Sequence, residues 1–106
     1  MSDDLLRVSV VSGPPVRVVL EGELDFSNAK TLAGAFDRIA EPGDAIVDLS
    51  ALAFIDSSGL TAIANFARKA LPNGRVTVVA PQDAMRRLFR ITALDTILSV
   101  VDRAPE

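Results

Sequence analysis

The spacing of hydrophobic and polar positions changes several times along the chain, and each change predicts a new element. Residues 12–15, "SGPP", predict a turn, because a glycine and two prolines cannot continue a strand ladder. The runs on either side of this turn are therefore expected to pair as a hairpin. Short runs rich in Val, Ile and Leu predict five strands, at residues 5–11, 16–22, 45–50, 75–80 and 96–102.

Three segments between these runs have apolar residues at helical spacing. The first predicted helix covers residues 27–40, begins with Ser27 as its N-cap and ends before "EPGD" at 41–44. Its predicted core-facing residues are Ala29, Leu32, Phe36 and Ile39. The second helix has the apolar stripe Leu60, Ile63, Ala67 and Leu71 and ends at "PNG", residues 72–74. Before this helix, "ALAFID" at 51–56 is interpreted as a short apolar crossing outside the strand.

The third helix is predicted to start near Pro81, because proline suits the first turn of a helix. Its apolar positions are Met85, Leu88 and Phe89, and its basic positions are Arg86, Arg87 and Arg90. The basic positions are interpreted mainly as a solvated helix face with Asp83 nearby, and contact with an acidic partner or nucleic acid is the alternative.

Strands that alternate with helices after an opening hairpin predict one α/β domain, residues 1–106 with a core of about 5–102. The sheet is expected to be mixed but mostly parallel, with four to five strands. Successive right-handed crossovers in one direction place the helices mainly on one face. Loops at the carboxyl ends of the strands are then the natural functional site. Two are notable: "GELDFSN" at 22–28 and "IDSSG" at 55–59.

Composition excludes several kinds of chemistry. The chain has no Cys and no His, which excludes a thiolate nucleophile, a cysteine metal site and a Ser-His-Asp triad. Its net charge of −3 disfavours a broad nucleic-acid surface. The acidic start and the absence of an apolar run of about 20 residues predict a cytoplasmic protein without membrane insertion. No cofactor or metal is expected.

The "DSSG" string, Asp56 to Gly59, has several interpretations from its residues alone. Plain helix capping explains it, because Asp and Ser are among the best N-cap residues. A hydrolytic serine is disfavoured by the missing base and the missing GxSxG motif. A receiver-type phospho-aspartate at Asp56 lacks an acidic cluster at the strand ends. The remaining alternative is a serine that another protein phosphorylates, adding about −1.5 to −2 charges.

Three segments together resemble the STAS domain family, and more closely the bacterial anti-sigma factor antagonists. They are "GELD" at 22–25, "VDLSALAFIDSSGLTAI" at 47–63 and "RVTVVAPQDAMRRLFRITALDTIL" at 75–98. The resemblance implies a non-enzymatic protein that binds an anti-sigma factor with ATP-dependent serine kinase activity and so releases a sigma factor. It implies that the kinase phosphorylates Ser57 and ends binding, and that a PP2C-type phosphatase restores it.

The resemblance also implies that the partner-binding site contains Glu23, Asp25, Asp56, Ser57, Ser58, Gly59 and Leu60. Phe26 and Ser27 are added to the site because they lie in the same loop, where Phe26 is expected to be partly exposed. A turn and N-cap formed by Asp25 and Ser27 is the alternative interpretation of that pair. Direct binding of nucleic acid is not expected. Because the family also contains STAS domains of transporters and lipid-transport machinery, the alternative is a scaffold subunit of such a complex, in which the serine is only a helix cap.

Overall fold

The computed structural model describes residues 5–39 and 43–104. Within these residues, five strands and three helices alternate in a single α/β unit. A single turn of 3-10 helix, Leu94–Thr96, precedes the last strand. The strands are β1 Leu6–Val11, β2 Val16–Leu24, β3 Ala45–Ile55, β4 Val76–Val79 and β5 Ser99–Val101. The helices are α1 Ala29–Asp37, α2 Ser57–Ala70 and α3 Asp83–Ile91.

The sheet has the order β1-β2-β3-β4-β5. β1 and β2 form the predicted antiparallel hairpin, and the other neighbours are parallel. The mixed, mostly parallel sheet of the sequence prediction is therefore confirmed. Each parallel step moves to the next strand in the same direction, so right-handed crossovers place α1, α2 and α3 on one face.

One hydrophobic core lies between this face and the helices. Leu20, Val47 and Val78 contribute to it from the three central strands and are fully buried. The rings of Phe36 in α1 and Phe66 in α2 stack with centroids 4.1 Å apart. Buried residues of α3 belong to the same cluster, which confirms that the helices pack on one face. Side chains that alternate with the core positions form the other face, where Arg7 and Glu21 pair at 3.5 Å.

β2 and β3 continue well beyond the other strands. Their pairing reaches Leu24 and Ile55, whereas the pairing of β3 with β4 ends at Asp48. The interpretation of residues 51–56 as a crossing outside the strand is therefore wrong. The extension is stable because β2 pairs with it along one edge, and because Leu52 and Ile55 are buried.

A glycine shapes this extension. Gly22 has φ +103°, a conformation that side chains disfavour, and a Cβ there would meet the Leu5 carbonyl oxygen. It lies at one of two irregularities in the β2–β3 register, where the strands twist and bend. The extension carries the carboxyl ends of β2 and β3, and with them both predicted functional loops, to one end of the molecule.

Three further predictions differ from the structure. Leu71 is not part of the buried stripe of α2, because the chain is already extended there and the side chain is exposed. Thr96 lies in the 3-10 turn, so the last strand starts later, at Ser99. Arg86 is not a solvated residue like its neighbours: its Nη1 donates to the carbonyl oxygens of Ala80 and Pro81 at 2.9 and 2.7 Å.

Candidate functional site

The carboxylate of Asp56 joins the two predicted loops. Its Oδ1 accepts hydrogen bonds from the backbone N–H of Ser58 at 2.9 Å and of Gly59 at 3.2 Å, which caps α2. Its Oδ2 accepts from the N–H of Phe26 at 3.0 Å, across 30 positions of sequence. The Asp56 N–H donates to the Leu24 carbonyl oxygen. One side chain therefore fixes both the start of α2 and the loop that follows β2.

The loop between β2 and α1 is held by its own side chains. Asp25 Oδ1 accepts from both the N–H and the hydroxyl of Ser27. Asn28 Oδ1 accepts from the Asp25 N–H, and its Nδ2 donates to the Glu23 carbonyl oxygen. These bonds leave the ring of Phe26 in solvent, with 79% of its surface exposed.

Ser27 is not the N-cap of α1, contrary to the sequence prediction. The helix begins at Ala29, with Asn28 in the cap position and no side-chain cap bond. Instead, the N–H of Ser27 donates to the Oδ1 of Asp25, two residues earlier, and this bond forms an Asx-type turn. Asn28 is almost completely buried and was missed by the sequence analysis, although an Asn three residues after an Asp in a loop is typical of such turns.

Ser57 is the first residue of α2 and is exposed. Among the described residues its hydroxyl has no hydrogen-bond partner, while its carbonyl oxygen accepts from the Thr61 hydroxyl at 2.9 Å. Ser58, by contrast, is half-buried. Helix capping is done by Asp56, so the Ser57 hydroxyl is available to another molecule.

Two shallow depressions lie on either side of Ser57. The first, about 310 Å³, lies between the starts of α1 and α2. Its lining residues are Phe26, Ala29, Lys30, Ser57, Ser58 and Thr61. The second, about 190 Å³, lies between α2 and the segment after α3. It adds Arg68 to the surroundings of Ser57. No sequence motif marks Lys30 as a site residue, because its position beside Ser57 depends on how α1 packs against α2.

The structure brings the nine predicted site residues together but does not expose all of them. Glu23, Phe26, Ser27 and Ser57 are exposed, and Asp25, Asp56 and Ser58 are half-buried. Gly59 and Leu60 are buried. A Cβ at Gly59 would lie 2.6 Å from Leu24 Cγ and 2.9 Å from Ile55 Cγ1, so this glycine lets α2 start against the ends of β2 and β3. Gly59 and Leu60 therefore cannot contact a partner directly, and they contribute to the site only by packing under its exposed residues.

The described residues contain no cluster of three or more acidic side chains that could hold a metal ion. None of the helices in residues 5–39 and 43–104 is both long and apolar enough to cross a membrane.

Comparison with known proteins identifies the family. The model of the STAS domain matches residues 8–104, nearly the whole chain. The chain belongs to the STAS domain family. No curated protein sequence matches the chain.

Solved structures of anti-sigma factor antagonists have the same fold. An anti-sigma factor antagonist from Mycobacterium paratuberculosis is 28% identical, with a TM-score of 0.85 over 94% of this chain and 88% of that one. The unphosphorylated anti-sigma factor antagonist SpoIIAA is 23% identical, with a TM-score of 0.65 over 93% and 89%. Bacillus SpoIIAA in its phosphorylated form has a TM-score of 0.59 at the same identity, over 92% of each chain. The structural neighbours of this STAS domain are thus anti-sigma factor antagonists.

Proposed function

We propose that this STAS domain is a cytoplasmic anti-sigma factor antagonist that is controlled by phosphorylation of Ser57. It binds an anti-sigma factor with serine kinase activity, and this binding releases the sigma factor. The kinase phosphorylates Ser57 and thereby ends binding, and a PP2C-type phosphatase reverses the modification. The protein itself needs no cofactor, because ATP and metal are used by its partner enzymes.

The observation that carries the proposal is the division of roles between Asp56 and Ser57. A serine that served only as a cap would bond to the backbone of the helix start, but Asp56 already makes those bonds. Ser57 therefore has no capping role, and its hydroxyl is exposed. The modified form of SpoIIAA shows that a protein of the same fold is phosphorylated.

The partner-binding surface of the proposal is the exposed part of the site: Glu23, Phe26 and Ser27 around Ser57. The ring of Phe26 provides the apolar contact that interface centres need. A phosphate beside it would have to be desolvated when the partner docks, at a cost of about 3–4 kcal/mol, or a hundredfold to a thousandfold in affinity. Binding is therefore lost without refolding.

The test uses the anti-sigma kinase encoded nearest to this chain. The purified kinase and ATP are incubated with the protein, and intact mass and peptide mapping locate any added phosphate. One phosphate, on Ser57, is expected, and none on Ser57→Ala. A phosphate on Ser58 alone would contradict the assignment.

Binding of the same kinase is then measured by calorimetry. Ser57→Ala is expected to bind regardless of ATP, and Ser57→Asp to bind at least about a hundredfold more weakly. Ser50→Asp, on the exposed part of β3, is the control for a new surface charge and should bind normally. Equal affinities of Ser57→Ala and Ser57→Asp would refute the switch, and binding without any phosphorylation would favour a scaffold role.

A further inference from the structure

A phosphate on Ser57 would enter a negatively charged neighbourhood. Asp56 is its direct neighbour, and Asp25 and Glu23 lie on the adjoining loop. A helix start ordinarily offers amide donors to an anion, but Asp56 already accepts from the N–H groups of Ser58 and Gly59. The phosphate therefore needs a side-chain cation if its charge is to be balanced.

Among residues 5–39 and 43–104, two cations line the depressions beside Ser57, and their positions differ. Lys30 lines the first depression together with Ser57, and Arg68 lines the second. Arg68 is eleven residues further along α2, about 16 Å along the helix axis, and its Nη1 lies 3.4 Å from Asn65 Oδ1. Lys30 is on the first turn of α1, and neither Lys30 nor Arg68 takes part in the ion pairs found among the described residues.

The packing of α1 on α2 brings Lys30 to Ser57. Both helices follow neighbouring parallel strands, so they start at the same end of the sheet. Their contacts keep one register, with Phe36 stacked on Phe66 and Asp37 paired with Lys69 at 3.8 Å. If the same register is followed from these contacts back to the first residues of both helices, Lys30 lies beside the first turn of α2. Helical side chains lean towards the N-terminus, which directs the Lys30 ammonium to Ser57.

We propose that Lys30 is the counter-charge of phosphorylated Ser57. Its ammonium pairs with the phosphoryl oxygens across the depression between α1 and α2. The pair holds the phosphate over the apolar part of that depression, which Phe26 and Ala29 line. A docking partner then meets a charged group where the unmodified protein offers an apolar surface. This inference rests on the proposed function, since it assigns a role to the same serine.

The experiment does not depend on a kinase, because phosphoserine can be incorporated at position 57 during translation. The phosphate is titrated by ³¹P NMR in the full chain, in Lys30→Gln and in Lys69→Gln. Lys69 is the matched control: it is a lysine at the opposite end of the same helix pair, about 18 Å from Ser57 along α2. Circular dichroism verifies that each variant is folded.

A nearby cation favours the dianion, so removing Lys30 should raise the titration midpoint of the phosphate. A rise of a few tenths of a pH unit is expected for an exposed ion pair. Lys69→Gln should leave the midpoint unchanged, and Lys30→Arg should have the same midpoint as the unchanged phosphoserine protein. In 1 M salt, the midpoints of Lys30→Gln and the unchanged protein should become equal. Equal midpoints in Lys30→Gln and Lys69→Gln, or failure of Lys30→Arg to restore the value, would overturn the proposal.

The two proposals fail separately. If the kinase does not modify Ser57, the switch is wrong, although the phosphoserine protein still reports on Lys30. If replacing Lys30 does not change the ³¹P titration midpoint, the proposal that Lys30 is the counter-charge is wrong. The proposed loss of partner binding on phosphorylation would not be affected by that result.

Discussion

At the scale of single residues, three neighbours at the start of α2 have separate tasks. Asp56 bonds the backbone of two loops, Ser57 presents a hydroxyl to solvent, and Gly59 lets the helix approach the strands. Asp and Ser are nearly equal as N-caps, so the sequence could not show which of them caps the helix. The bonds from the N–H groups of Ser58 and Gly59 to Asp56 Oδ1 show that Asp56 is the cap, and the bond from Phe26 to its Oδ2, which depends on the tertiary fold, adds a second contact to the same carboxylate.

The role of Gly59 predicts a contrast between two glycine substitutions. Gly59→Ala should lower the free energy of unfolding by about 1–3 kcal/mol, because its methyl group would collide with Leu24 and Ile55. Gly34→Ala is the control: it lies within α1 with open space around it and should raise stability by up to about 1 kcal/mol. Urea unfolding measures both, and similar effects of the two changes would contradict the packing argument.

At the scale of elements, the structure differs from the sequence prediction where tertiary contacts override local patterns. The extension of β3 through residues 51–55 was missed because "ALAFI" lacks the two-residue alternation: only Leu52 and Ile55 are buried. An irregularity in the β2–β3 register changes the set of side chains that face the core. The sequence of β3 itself contains no pattern that indicates this irregularity. The helices and the remaining strands were located by their periodicity, but several of their ends differ from the prediction, as at Ser27, Leu71 and Thr96.

The junction of β4 and α3 gives a second stability prediction. Arg86 donates to the carbonyl oxygens of Ala80 and Pro81 and pairs with Asp83 at 3.2 Å. Arg86→Met leaves these acceptors without their charged donor and should cost about 1–3 kcal/mol. Arg87→Met, on the exposed side of the same helix, should stay within about 0.5 kcal/mol. The comparison is again made by urea unfolding, and equal losses would show that Arg86 is only a surface residue.

At the scale of the whole molecule, the hydrophobic core on the helical face of the sheet lies apart from the exposed hydroxyl of Ser57. The fold class, the single domain and the placement of the helices follow from the order of the predicted elements and the handedness of crossovers. The site could be located at the strand ends for the same reason. Two of its details could not be predicted: the burial of Asn28 depends on its bonds to Glu23 and Asp25 in the folded loop, and the position of Lys30 depends on the packing of α1 on α2.

This separation predicts that phosphorylation barely changes the stability of the protein. The helix dipole and Lys30 favour a phosphate on Ser57, while Asp56 opposes it, and each effect is about 1 kcal/mol or less. The melting temperature of the phosphoserine protein should therefore stay within about 8 °C of the unmodified one. Calorimetry tests this, and a loss of cooperative unfolding would show that the modification acts by disrupting the fold.

The exposure of Phe26 also has a spectroscopic consequence. The chain contains neither Trp nor Tyr, so it is almost transparent at 280 nm and has no intrinsic fluorescence beyond that of its five Phe residues. A tryptophan placed at position 26 would be the only indole in the molecule, and it would stand in solvent at the rim of the depression beside Ser57. Its fluorescence emission would report partner docking and phosphorylation of Ser57 in real time, because no other residue of this chain emits as an indole.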